Sequence, residues 1–305
     1  MEQISKEMFE KVGVNTSESE KISRPSISFW KDVWMRFKQN KLAMTGVVLI
    51  FLIGVMAIIG PYLTPYDYAT NDLINADQPP SAEHWFGTDD LGRDVFTRLW
   101  EGARISLFIG LAAAAIDLVI GVIWGGLSGF IGGRTDEIMM RIADILWAVP
   151  YLLLVILLMV VFEPGLATMI VAMTITGWIN MARIIRGQVL QLKHQEYVMA
   201  SQTLGANTSR VMRKHLIPNT MGPILITMTL TIPGAIFTEA FLSYLGLGIP
   251  APLASWGTMA SDGVPALQYY PWRLFFPATF ICLTIFAFNV IGDGLRDALD
   301  PRLRK

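Results

Sequence analysis

Hydrophobic and polar positions in this chain fall into long blocks, unlike the short alternations of a soluble fold. Residues 42–63 are 22 consecutive positions without a charged side chain. About 20 apolar residues at helical rise cross the hydrocarbon of a bilayer, so this block reads as a membrane-spanning helix. Five more blocks follow, at 105–131, 142–162, 166–184, 221–245 and 274–291. The second holds one charge, Asp117, near its middle. The third contains Pro150, and the fifth contains Pro233 and Glu239. Between them lie an acidic, aromatic loop at 64–102, a short charged loop at 132–141, a tight turn at 163–165 and a Pro- and aromatic-rich loop at 246–273. The expected fold is an all-α integral membrane protein with six transmembrane helices.

Ahead of the first block, residues 29–41 place Phe29, Trp30, Val33, Trp34 and Phe37 on one helical face, with Lys31, Arg36, Lys38 and Lys41 beside or flanking it. Such a helix either lies on an anionic lipid leaflet or docks on the bundle. Residues 1–28 are rich in Ser, Glu and Lys without an apolar period, and read as a disordered tail. The first apolar run starts only at Leu42 and is too long for a secretory signal, so no cleavage is expected. A second tail is expected at 294–305.

Composition agrees with this reading. Of 305 residues, 53% are hydrophobic and 16% charged, against about 25% charged in soluble domains. The net charge of −1 singles out no partner, and no nucleic-acid partner is expected. The placement of Lys and Arg is more informative. Eight lie in the first 41 residues; Arg183, Arg186, Lys193, Arg210, Arg213 and Lys214 follow the fourth block; Arg296, Arg302, Arg304 and Lys305 end the chain. The 64–102 loop has only Arg93 and Arg98 against eight acids. Basic loops stay in the cytoplasm, which puts both termini inside and the 64–102 loop outside. Cys282, the one cysteine, lies in an apolar run and reads as packing.

The polar stretch 196–219, EYVMASQTLGANTSRVMRKHLIPN, reads as two short helices. Gly205 suits the left-handed position that ends the first, and Asn207 or Thr208 caps the second, which Pro218 is expected to stop. Ala200, Ser201, Gly205 and Ala206 are small enough for another backbone to approach. The stretch resembles the cytoplasmic coupling loop of permease subunits in binding-protein-dependent ABC importers. The aligned positions are Met199, Ala200, Ser201, Gly205, His215, Ile217 and Pro218, with Met199 and His215 departing most from the family pattern. Three further stretches, HWFGTDDLGRDVFTRLWEGARISL at 84–107, EAFLSYLGLGIPAPLASWGTM at 239–259 and FNVIGDGLRDALDPRLRK at 288–305, resemble the C-type permease subunit of oligopeptide, dipeptide and nickel importers.

That resemblance implies the type I ABC importer permease fold, with a permease core of five helices at 103–293. It also implies a multi-pass chain in a bacterial cell membrane, surrounded by membrane lipid. Its expected partners are a homologous second permease, two cytoplasmic ATPase subunits and an extracytoplasmic peptide-binding protein. Glu196, Met199, Ala200, Ser201, Gly205, Ala206, Asn207, Arg210 and Pro218 then form the ATPase-coupling loop. The chain itself has no phosphate-binding GxxxxGK[ST] loop, so ATP and Mg would be used by the partner ATPases, and no cofactor is expected on this chain. Neither a catalytic constellation nor an HExxH motif occurs, and the chain reads as a transport subunit, not an enzyme.

A few polar residues stand apart. A charge in mid-bilayer must face the bundle or a wet cavity, so Asp117 either handles substrate or protons or pairs with a polar group on a neighbouring helix or the partner subunit. As a proton or cation site it would instead suit an ion-coupled secondary transporter, although no internal repeat is evident. Glu239 sits near an outer end, at a gate or an interface. Asn180 and Asn289 join it as candidate pathway or interface residues. His84 with Asp89, Asp90 and Asp94 would suit a cation, but a glycine-bracketed loop with side-chain-to-backbone hydrogen bonds explains GTDDLGRD more simply.

Overall fold

In the computed structural model residues 28–300 are described, so the last five residues and the N-terminal tail ahead of Ser28 lie outside the account. Helix α1 (Phe29–Gln39) buries Val33 and Phe37 against Ala43 and Ala298, while Phe29, Trp30 and Trp34 stay exposed. One edge therefore docks on the bundle and the other faces outward. Asn40 ends α1 and caps α2 (Lys41–Ile59), its side chain accepting from the amide of Ala43 at 3.1 Å.

Helix α3 (Val95–Ile131) begins ten residues before the expected span. Asp94 caps it, accepting from the Thr97 amide at 2.8 Å and the Thr97 hydroxyl at 2.7 Å. The added turns bury Val95, Phe96, Leu99, Trp100 and Ala103 beneath the outer loop, where they meet Trp256 and Met259. Trp256 and Met259 belong to a helix inside the 246–273 loop, α11 (Trp256–Gly263), which Ser255 and Thr258 cap reciprocally.

The segment expected as a charged loop at 132–141 is helical. It forms part of α4 (Gly133–Ala148), entered through Gly132 and Gly133 at positive φ. Its charges divide: Arg134, Glu137 and Arg141 are exposed, while the buried Asp136 accepts from both Nε and Nη2 of Arg186 at 2.6 Å and also meets Ser128. Pro150 then interrupts the third span. It holds Val149 extended, as a residue before proline must be, and α5 (Tyr151–Val161) leaves α4 at 82°. The third span is thus a bent pair, not a straight rod.

Helix α6 (Leu166–Leu192) runs eight residues past its expected end and packs along α3 more extensively than any other pair of helices. Gly121, Gly125 and Gly129 of α3 line the seam, where Met181, Ala182 and the Arg186 carbonyl leave no room for a Cβ. Small residues four apart let backbones meet closely in a bilayer. After the polar stretch come α10 (Met221–Leu242), prolonged by a wider turn at Ser243–Leu247, and α12 (Trp272–Leu299). Among the described residues five helices are long and apolar enough to cross a membrane, and the count is six when the bent pair is taken as one span. Among the described residues, β-structure is limited to the bridge between Thr88 and Asp94.

Candidate functional site

The polar stretch folds as two short helices held by local hydrogen bonds. Helix α7 (Glu196–Thr203) is terminated by Leu204 and by Gly205 at φ +83°. The Gly205 amide donates to Gln202 O at 2.9 Å and the Ala206 amide to Ser201 O at 3.0 Å, the paired bonds of a Schellman motif. Asn207 caps α8 (Thr208–Val211), accepting from the Arg210 amide at 2.9 Å. A wider turn, Met212–Leu216, leads into α9 (Ile217–Asn219). Pro218 does not stop the second helix as expected. It sits in the first turn of α9, where its missing amide proton is harmless, and the chain breaks at Thr220.

One side of this hairpin is anchored. Val198, Val211 and Leu216 are fully buried against Ile185, Val189 and Ile224 of the membrane helices. The other side is open. Glu196, Met199, Ala200, Gly205, Asn207, Arg210 and Pro218 are exposed, Ser201 and Ala206 partly so, and Leu204 is 88% exposed. Space around Gly205 is clear to 4 Å. A knob with a mixed polar and apolar outer surface, rooted in α6 and α10 through its apolar side, thus projects from the bundle.

The second feature is a cavity of about 770 Å³ between α3, the α4–α5 bend, α6 and α10. Asp117 and Asn180 reach it, together with Trp147 and Tyr151 from the two arms of the bend. Thr227, Thr231, Gly234 and Thr238 line it from one face of α10. Asp117 is 6% exposed, and its Oδ1 meets no hydrogen-bond donor among the described residues. The expected pairing with a polar neighbour is therefore not seen within this chain. The threonine stripe on α10 was the sequence signal for this wall; Trp147 and Tyr151 had none, since only the bend brings them together.

Glu239 is not on an open face. It is fully buried, and its carboxylate accepts from Ser255 at 2.6 Å, Ser243 at 2.9 Å and Ser106 at 3.3 Å. Ser106 also takes the Trp256 amide, so this knot ties α3, α10 and α11. Asn289 is exposed on α12 and does not line the cavity. In the outer loop, Asp94 pairs with His84 at 3.0 Å, and Asp89 holds Arg93 at 2.8 Å and Arg98 at 3.3 Å. Arg273 bridges Asp77 and Asp90. These carboxylates serve loop structure.

Residues 118–305 match the family described as binding-protein-dependent transport system inner membrane component. The chain belongs to this family. Residues 28–80 also match the N-terminal transmembrane domain of oligopeptide transport permease C. Among its relatives, the oligopeptide transport system permease protein of Bacillus subtilis is 72% identical over the full length of both chains. The dipeptide transport system permease protein of the same organism is 62% identical, covering 94% of this chain and 90% of that one. The Escherichia coli K12 oligopeptide permease protein is 42% identical over 94% and 95%. Among solved structures, the inward-facing MetNI methionine ABC transporter matches with a TM-score of 0.55 at 18% identity, covering 67% of this chain and 96% of that chain. The permease family's fold, the type I importer arrangement, is thereby established, and the chain is a multi-pass cell-membrane protein.

Proposed function

We propose that this chain is one permease subunit of an ATP-driven importer of oligopeptides or dipeptides, lining half of the pathway. The full-length 72% identity to an oligopeptide permease protein carries the reading. With the 62% identity to a dipeptide permease protein, it favours peptide over nickel. Family membership also favours ATP-driven import over the ion-coupled alternative for Asp117. The partners are a second permease, two cytoplasmic ATPases and an extracytoplasmic peptide-binding protein, and both termini face the cytoplasm. ATP and Mg act on the ATPases; this chain holds neither.

The coupling hairpin supplies the mechanism. Its exposed side, from Glu196 through Arg210, meets the ATPase, and its buried side is packed into α6 and α10. When ATP closes the ATPase dimer, the hairpin moves as a rigid piece because its caps and apolar roots are satisfied internally. The bundle then turns from inward- to outward-facing, and hydrolysis resets it. In the reconstituted complex, Gly205→Trp is expected to abolish peptide transport and peptide-stimulated ATP hydrolysis while membrane insertion persists. Full transport by that variant overturns the docking role.

A further inference from the structure

Among the described residues, Asp117 is the only charged side chain on the wall of the central cavity. It is more than nine-tenths buried, yet no hydrogen bond or ion pair engages it among the described residues. Its place is built. Gly177 of α6 lies against the carboxylate, so that a Cβ there would come within 2.7 Å of Oδ1 and 2.8 Å of Cγ. A side chain at 177 would displace the carboxylate; glycine leaves room for it at the edge of the cavity. Holding a carboxylate away from water without a partner is costly. Such a charge suits a cation that arrives and leaves.

Under the peptide-import reading, on which this step rests, every unmodified peptide brings such a cation. We propose that Asp117 is a counter-charge for the substrate's ammonium group during passage, chiefly the peptide's α-ammonium. A lysine side chain offers the same chemistry. Asn180 and the Tyr151 hydroxyl stand on the same wall and can meet the adjoining amides, and a volume of about 770 Å³ accommodates a short peptide. The side chains of the peptide need no fixed partner. The site would recognise what peptides share and ignore what distinguishes them.

The test uses the intact complex in nanodiscs, titrated calorimetrically with tri-alanine, N-acetyl-tri-alanine and N-acetyl-Ala-Lys-Ala. Wild type is expected to bind tri-alanine about tenfold or more tighter than its acetylated form, the range of a hydrogen bond to a charged group. Asp117→Asn should erase that preference by weakening tri-alanine alone, and Asp117→Glu should keep it. N-acetyl-Ala-Lys-Ala separates the sources: it binds like tri-alanine if any ammonium serves, and like the acetylated peptide if only the terminus does. A wild type without the preference, or an Asn variant that retains it, overturns the proposal. So does an Asn variant that no longer co-purifies with the second permease, which would place Asp117 in the subunit interface. Uptake of tri-alanine by the wild-type complex is measured alongside. Its absence would sink peptide import itself, whereas uptake without an effect of Asp117 sinks only this inference.

Discussion

Replacing Gly125 with alanine is expected to push apart α3 and α6, the most closely packed helices of the bundle. The added Cβ would overlap the carbonyl oxygen of Ala182 and sit 2.9 Å from its carbonyl carbon and its Cα. Carbon atoms rest about 3.5–4.0 Å apart, so the two carbons alone require α6 to recede by roughly 0.6–1.1 Å, and the oxygen by no less. Backbone atoms cannot rotate aside as a side chain can. A gap of that order forfeits about a quarter to a half of each contact's attraction, and Gly121 and Gly129 share the same seam. Overpacking of this kind costs about 1–3 kcal/mol. Helix association within a bilayer leans on close packing, which places the loss toward the upper end. The assay is thermal inactivation of the detergent-purified complex, read as the monodisperse fraction after heating. Gly187→Ala on α6, which meets nothing within 4 Å, is the control. If Gly125→Ala melts with that control, the close approach is refuted.

Two further outcomes follow from the outer half of the molecule. Glu239→Ala strands the buried Ser243 hydroxyl and loosens Ser106 and Ser255, at about 1–3 kcal/mol for each stranded group; Glu239→Gln keeps an acceptor and should melt nearer to wild type in the same assay. Asp94→Ala removes the cap of α3 and the partner of His84; the cap alone is worth about 0.5–2 kcal/mol, and cleavage of the 64–94 segment by protease added outside should quicken. Unchanged cleavage would mean that the loop is held by Arg273 and Asp89 without help from the cap.

The long apolar blocks located the crossings because length against bilayer thickness is a property of the chain itself. The hairpin at 196–219 was legible for a similar reason: Gly205 and Asn207 act on backbone within a few residues. Charge hid the rest. Residues 95–104 carry Arg98, Glu101 and Arg104, which disguised the start of α3. In the fold Arg98 meets Asp89 and the Tyr68 carbonyl, and Arg104 meets Glu101 and the carbonyls of Ala57 and Ile58. The helix through 133–141 was hidden likewise, its Asp136 being matched by Arg186 fifty residues on. Pro218 misled because proline is tolerated in a first turn, and the chain restarts its helix there. Glu239 was noticed as a charge but not as the centre of a knot, since Ser106 lies 133 residues away and Ser255 returns to it only through the turn before α11. The cavity depends on the bend at Pro150, which a block pattern records only as a proline inside a span.

The threonines on the cavity wall bear on how fast cargo can leave. Thr231 donates its hydroxyl to Thr227 O at 2.9 Å and Thr238 to Gly234 O at 2.8 Å, both within their own helix. Their protons are already committed, and only lone pairs face the passage. Along this face of α10 a passing amide N–H would find acceptors at Thr231 and Thr238 but no threonine proton there seeking a partner, while the donors of Asn180 and Tyr151 stand on other helices. If the cavity is the conduit, this one face is wettable without being adhesive, which suits a cargo that changes from one cycle to the next.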